Sequence, residues 1–326
     1  MCICPLVGCS GSIVLHLGTM IKTITNRDEY QTNPILTSDA HDYNLTATLF
    51  GKEWALYDDF WMRHVHVKVT DRCDAHCPFC IEKNSHIEEN GEKLTANLEQ
   101  LLSELDAQQM DGTVSITGGE PSLCKHAGLV VDIIKRHNRF LNINTNFHHT
   151  IESTLDPDWV NISRHQIDQD PYTRIWGLDF GMLDEYKKQH PKTKARIQCV
   201  LHPYGLQTVD DILRFIDVYA SSLLIDDFSF RRLINTKDGE AERDLFTEFK
   251  EYLFNHAIFV EQTIQDYYIY EIYELDGNMI TISFSDMALL KNLESHEPDN
   301  LLREIIIHPD GLVSGSWYRD KKILKR

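Results

Sequence analysis

The chain is predicted to fold as an α/β protein built on a parallel sheet, and three observations predict it. Six short strand-like segments recur between residues 64 and 233, amphipathic helical segments separate several of them, and the residues with unusual chemistry fall just after strands. Strands joined by helical crossovers lie parallel, with right-handed connections. In such sheets ligands gather beyond the carboxyl ends of the strands.

Residues 1–61 read as an N-terminal extension of mixed composition. Its opening, with Cys2, Cys4 and Cys9, is unlike the rest, and Met20 is an alternative start. Phe50, Trp54, Tyr57, Phe60 and Trp61 are expected to pack over one end of the main domain. The main domain is assigned to residues 62–235. His64 to Thr70 (HVHVKVT) alternates as a strand does, and 94–109 carries apolar residues at 94, 98, 101, 102 and 105, the spacing of one helix face. A strand over 113–117, a helix over 124–138 and a strand over 140–145 follow. Then come strands 160–163 and 195–202, a helix over 209–219 and a strand over 226–233. Residues 236–326 read as an α+β extension, with a helix near 241–255 and β-like stretches at 264–275, 279–284, 302–308 and 312–316. Pro309-Asp310-Gly311 inside the last pair predicts a hairpin turn.

Composition narrows the functional classes. With 326 residues, 42% hydrophobic, the chain is long enough to bury a sizeable core. Its 50 acidic residues exceed its 32 basic ones, a net charge of -18, which argues against nucleic acid as partner. No apolar run is long enough to span a membrane, and the first residues lack the basic start of a signal peptide. Eight cysteines without regular spacing do not form a disulfide framework, so a reducing, cytoplasmic location is expected.

Cys73, Cys77 and Cys80 stand in Asp71-Arg72-Cys73-Asp74-Ala75-His76-Cys77-Pro78-Phe79-Cys80, directly after the first strand. Packing does not explain three cysteines on a polar loop, because core cysteines scatter along buried faces; metal binding does. Zinc normally takes four protein ligands, and neither a second C-x2-C nor an H-x3-H follows, although His76 would offer a fourth donor. Three cysteines alone suit a [4Fe-4S] cluster with one open iron. At the end of the second strand, Gly118-Gly119-Glu120-Pro121 lets the backbone approach a ligand closely.

This C-x3-C-x2-C loop, with the aromatic Phe79 before its last cysteine, resembles the cluster-binding motif of the radical S-adenosylmethionine (radical SAM) superfamily. The chain is similar to the branch that holds the molybdenum-cofactor GTP cyclase and SPASM-like enzymes. The resemblance implies a partial (β/α)6 TIM-like barrel, a [4Fe-4S] cluster on Cys73, Cys77 and Cys80, and S-adenosyl-L-methionine as cofactor. It implies reductive cleavage of that cofactor to a 5'-deoxyadenosyl radical, which abstracts hydrogen from substrate. Cofactor contacts carry over to Phe79 on the cluster loop, to Gly118, Gly119 and Glu120, to Asn144 near the third strand end and Ser163 at the fourth, and to Val200 and His202 at the fifth. Arg164 and His165 are further candidates for the cofactor carboxylate or the substrate. Cys199 is a candidate hydrogen donor, set against a reading as a core residue. Arg231 or Arg232 is expected to clamp an anionic substrate group, with the other facing outward.

One departure from the branch is decisive: no cysteine follows Cys199, so the C-terminal extension cannot ligate auxiliary clusters. The GTP cyclase and the alcohol-oxidising sulfatase maturases depend on such clusters and lose support. The expected substrate is a small sugar- or nucleotide-like molecule, with a peptide as the alternative. The expected electron donor is a flavodoxin or ferredoxin. The opposing class is a non-enzymatic zinc or iron-sulfur module.

Overall fold

A computed structural model describes residues 22–24, 45–56, 64–80, 86–149, 155–233, 244–265, 268–285, 298–317 and 319–326. The expectations placed on Cys2, Cys4, Cys9, Met20, Tyr57, Phe60 and Trp61 lie outside these residues.

Two N-terminal pieces are woven into the rest. Strand β1 (Lys22–Ile24) is an edge strand of the main sheet, while β2 (Leu45–Leu49) and β3 (Lys52–Leu56) form a hairpin. Trp54 is buried, and Phe50, half-buried, packs against the core as expected. The hairpin is tied to the barrel through the Thr48 amide, which donates to Gln108 Oε1 at 2.8 Å, and the Phe50 amide, which donates to Glu104 Oε2 at 2.7 Å.

The barrel begins with β4 (His64–Thr70), buried on both faces. Helix α1 (Gly91–Ala107) follows, started by Asn90, whose side chain accepts the Lys93 amide. Its face Leu94, Leu98, Leu101, Leu102 and Leu105 is buried, each leucine contributing roughly 1.5–3 kcal/mol. The pattern alternates through β5 (Thr113–Gly118), α2 (Ala127–Arg136), β6 (Phe140–Thr145), β7 (Trp159–Ser163) and α3 (Phe180–Gln189). It ends with β8 (Lys194–Leu201), α4 (Val209–Ala220) and β9 (Asp227–Arg232). A capping box between Thr208 and Asp211 opens α4. Strands β4 to β9 pair in sequence order, all parallel, as a partial (β/α)6 barrel requires.

The strands of the C-terminal extension continue the barrel sheet at both of its edges. After α5 (Leu245–His256), strands β10 (Ile258–Gln265), β11 (Tyr268–Leu275) and β12 (Asn278–Ser285) form a meander, and β12 joins β9 in parallel. Strand β13 (Leu301–Leu302) pairs with β3; β14 (Ile305–Ile307) joins β4 in parallel and turns back through Pro309-Asp310-Gly311 into β15 (Val313–Ser314), followed by β16 (Ile323–Lys325). The predicted hairpin is present, and the parallel part of the sheet runs β14-β4-β5-β6-β7-β8-β9-β12.

Strand parity divides the side chains. Val65, Val67, Val114, Ile116, Leu141, Ile143, Val160, Ile162, Ile197 and Cys199 belong to the apolar core under the helices. The opposite face carries His66, Ser115, Asn142, Asn161, Arg196, Gln198, Asp227 and Ser229, all buried. The barrel interior is therefore polar. Near its floor Arg196 Nε and Nη2 donate to Asp227 at 2.6 and 2.9 Å, and the guanidinium lies 4.5 Å from the Trp159 ring centre. Burial still raises the Asp227 carboxyl above its usual range, so desolvation outweighs the attraction of Arg196. Asp227→Asn leaves Arg196 charged and unpaired in the interior; the expected loss is about 3–5 kcal/mol, read from the denaturant midpoint.

Candidate active site

The loop after β4 is fixed from several sides. The Ile87 amide donates to Asp71 Oδ2 at 2.9 Å, and Arg72 donates to Glu89 at 2.9 and 3.3 Å and to the Leu123 carbonyl at 2.7 Å. The His76 amide donates to the Thr173 carbonyl at 2.7 Å, and the Cys80 amide to the Cys77 carbonyl at 3.1 Å. All three cysteines are free thiols, Cys73 and Cys80 exposed and Cys77 half-buried.

The GGEP turn is joined to this loop through the backbone. The Gly119 amide donates to the Thr70 carbonyl and the Glu120 amide to the Arg72 carbonyl, each at 2.7 Å. Side chains are excluded here. A Cβ on Gly119 would stand 2.0 Å from the Arg72 carbonyl oxygen, and one on Gly118, whose φ is +133°, would stand 2.2 Å from that of Thr70. Glu120 is buried and its carboxylate is occupied by protein donors: the Ser122 amide at 3.1 Å and Thr145 Oγ1 at 2.7 Å on Oε1, and the Asn146 amide at 2.7 Å on Oε2. It braces the turn against the end of β6.

The donor set fits a [4Fe-4S] cluster better than one ion. Burial, then the neighbouring Cys80 and Cys73, push the Cys77 thiol up to about 12, so the apo site holds protons that a cationic centre would displace. Among the described residues, the three sulfurs do not form a set lying within 4.8 Å of one another. A tetrahedral zinc with Zn–S near 2.3 Å needs sulfurs only about 3.8 Å apart. A cluster places each thiolate on a different iron and accepts the wider spacing.

The ends of β7 and β8 close around Phe79. Its ring centre lies 5.1 Å from that of His165 and 4.9 Å from that of His202. Phe79, His165 and His202 thus stand together at the ends of β7 and β8. His165 is buried and accepts the Val200 amide at 3.1 Å through Nδ1, and burial lowers its pKa to about 3, keeping it neutral. Sequence reasoning missed Asp170. Its Oδ2 lies 3.5 Å from His202 Nε2 and its Oδ1 accepts the Tyr172 amide at 2.8 Å. Those bonds hold its carboxyl at about 2 against the opposing effect of burial. An Asp-Pro pair at a loop start is its only sequence signal.

Two readings are corrected. Cys199 is fully buried on the helix-facing side of β8, with Ile197 and Leu201, and burial raises its thiol pKa; it cannot reach the barrel interior as a hydrogen donor. Arg164 is buried and its Nη1 is taken up by protein, donating to the carbonyls of Asn146 and, at 2.7 Å, Ser163. Arg231 is half-buried in register with Val200 and Ser283, whereas Arg232 is exposed and pairs with Asp244 at 2.5 Å, which settles which arginine faces outward. Asn144 joins an amide ladder in the interior, donating to the Ile116 carbonyl at 3.3 Å and accepting from Asn161 at 3.2 Å.

A parallel barrel with a three-cysteine loop and a glycine turn locked together at its strand ends defines the class of protein. Residues 67–218 match the model of the Radical SAM superfamily, and that stretch is a radical SAM domain. Enzymes of that family use a [4Fe-4S] cluster and S-adenosylmethionine. The uncharacterized protein MJ0907 of Methanocaldococcus jannaschii is 27% identical over 156 residues, 45% of this chain and 53% of that protein. Among solved structures, Streptococcus suis SuiB bound to S-adenosylmethionine superposes with a TM-score of 0.53 at 15% identity, covering 79% of this chain and 61% of that one. The anSMEcpe structure with bound AdoMet superposes at 0.51 and 17% identity, covering 80% and 76%. The chain thus spans about half the length of its curated relative and 61% of SuiB, and the likeness to the solved structures is one of fold. No helix among the described residues is long and apolar enough to cross a membrane.

Proposed function

We propose that this protein cleaves S-adenosylmethionine reductively and abstracts hydrogen from a small polar molecule of the sugar or nucleotide kind. The observation that carries the first half is the pair of backbone hydrogen bonds fusing the cysteine loop to the GGEP turn at the strand ends. Cys73, Cys77 and Cys80 would hold the [4Fe-4S] cluster, which supplies the electron for cofactor cleavage. Gly118 and Gly119 let the turn pack directly on the backbone of Thr70 and Arg72, beside the cysteines, and Glu120 keeps that turn in place. Phe79, on the cysteine loop, packs against His165 and His202 at the ends of β7 and β8, where neutral His165 and the His202–Asp170 pair stand. A reducing cytoplasm and a flavodoxin- or ferredoxin-type donor go with such chemistry.

The barrel interior supports the second half. Asn142 Nδ2, Asn161 Oδ1, Gln198 Nε2 and Ser229 Oγ are buried on its inner face without a protein partner. Neutral donors and acceptors of this kind suit hydroxyl groups, and an unmet buried polar atom is costly enough to select a ligand that satisfies it. Arg231 at the rim suits a carboxylate or phosphate. The likeness to SuiB bound to its precursor peptide SuiA, with a TM-score of 0.53, supports a peptide as the second reading. Deuterated sugar nucleotides and deuterated peptides, each incubated with the reduced protein and S-adenosylmethionine, separate the two. Deuterium is expected in 5'-deoxyadenosine from a sugar nucleotide; enrichment from peptides alone would overturn the small-molecule assignment.

A further inference from the structure

Beside the cysteine loop lies a second cluster of donor atoms that the radical chemistry does not use. Asp74, between the first two cysteines, extends toward the segment after β6, where His148 and His149 stand. One ligand atom from each of the three lies within 4.8 Å of the others. Asp74 Oδ2 is 2.7 Å from His148 Nδ1 and 3.3 Å from His149 Nε2. Donors around an ion bonded at 2.0–2.2 Å sit roughly 3–3.5 Å apart, so the set already has close to coordination spacing.

The surroundings hold this arrangement. Asn146 is buried, and its Nδ2 donates to Asp74 Oδ1 at 2.6 Å, which leaves Oδ2 to the histidines; its Oδ1 accepts the His148 amide at 2.9 Å. The Asn146 amide is itself fixed on Glu120. Phe147, buried with φ at +51°, takes a backbone conformation that side-chain-bearing residues rarely adopt, and it directs the chain so that both histidines meet one carboxylate. Trp176 stacks on His148 with ring centres 6.3 Å apart. A carboxylate oriented by an outer amide and two imidazoles open to solvent is a ligand set for a first-row transition ion.

We propose that Asp74, His148 and His149 form a mononuclear site for a divalent ion of the zinc, cobalt or nickel kind, separate from the cysteine cluster. Two imidazoles select such ions over magnesium or calcium, which prefer oxygen. With both histidines exposed, the remaining coordination positions face water. Occupancy ties the cysteine loop to the segment after β6.

Cobalt(II) is the probe. Titrated into the cluster-loaded protein it is expected to bind with a visible d–d spectrum and without a thiolate-to-cobalt charge-transfer band. The titration is repeated on protein with alkylated cysteines, so its outcome does not depend on the cluster being present. The His148→Ala/His149→Ala double variant loses this binding by more than the roughly 10- to 100-fold that loss of an outer-shell partner costs, and keeps its iron content. Asp74→Asn, which preserves shape, weakens it in the same direction. Unchanged cobalt affinity in both variants, or a spectrum with sulfur charge transfer that alkylation abolishes, would overturn the site.

Discussion

Cys77→Ala yields a protein that folds but no longer loads its cluster and no longer cleaves S-adenosylmethionine above background. Cys77 is the middle ligand of the loop and the half-buried one, and burial and then its two neighbours hold its thiol protonated in the apo state. Removing it leaves two protein thiolates for a centre that needs three, and no described cysteine stands nearby on the loop to replace it. Cys77 lies outside the hydrophobic core, so the free energy of unfolding should change by no more than about 1 kcal/mol. Iron per chain, the visible absorbance of the brown protein and 5'-deoxyadenosine formation are expected to fall together. Retained iron with retained cleavage would remove the cysteine loop from the account.

Gly119→Ala has the second largest expected effect, and it acts through the backbone. The new methyl would stand 2.0 Å from the Arg72 carbonyl oxygen, and neither partner is a flexible side chain that can swing aside. The turn or the start of the cysteine loop must shift, breaking the bonds from the Gly119 amide to Thr70 and from the Glu120 amide to Arg72. Overpacking of this kind costs about 1–3 kcal/mol, visible in thermal or chemical unfolding. The displaced loop also loses cofactor affinity, so S-adenosylmethionine binding should weaken by more than the stability loss accounts for. Wild-type cofactor affinity in this variant would show that the turn does not position the ligand.

Much of this site was legible because its signals are local. The cysteine spacing, the two glycines and the alternation of HVHVKVT all lie within a few residues, and strand parity then orders the side chains. Parity also holds the correction for Cys199, which shares its face with Ile197 and Leu201. What stayed hidden depends on distant partners. Nothing near residues 280 or 306 says that these strands continue the parallel sheet at opposite edges, since the pairing is with β9 and β4. The β2–β3 hairpin turns at Phe50-Gly51, both with positive φ, and the bulky Phe50 stands where asparagine or aspartate usually precedes the glycine. Helix α3 buries only Leu183 and Tyr186, too thin a stripe to show as periodicity. Asp170 against His202, and Asp74 against His148 and His149, are meetings of segments that only the folded chain brings together.

Electron paramagnetic resonance of the anaerobically reconstituted, dithionite-reduced protein, recorded with and without S-adenosylmethionine, tests the central claim most directly. The account predicts the signal of a reduced [4Fe-4S] cluster, altered by the cofactor, together with 5'-deoxyadenosine and methionine in the product mixture. A colourless protein that binds one zinc at the cysteine loop, shows no signal and leaves S-adenosylmethionine intact would contradict it.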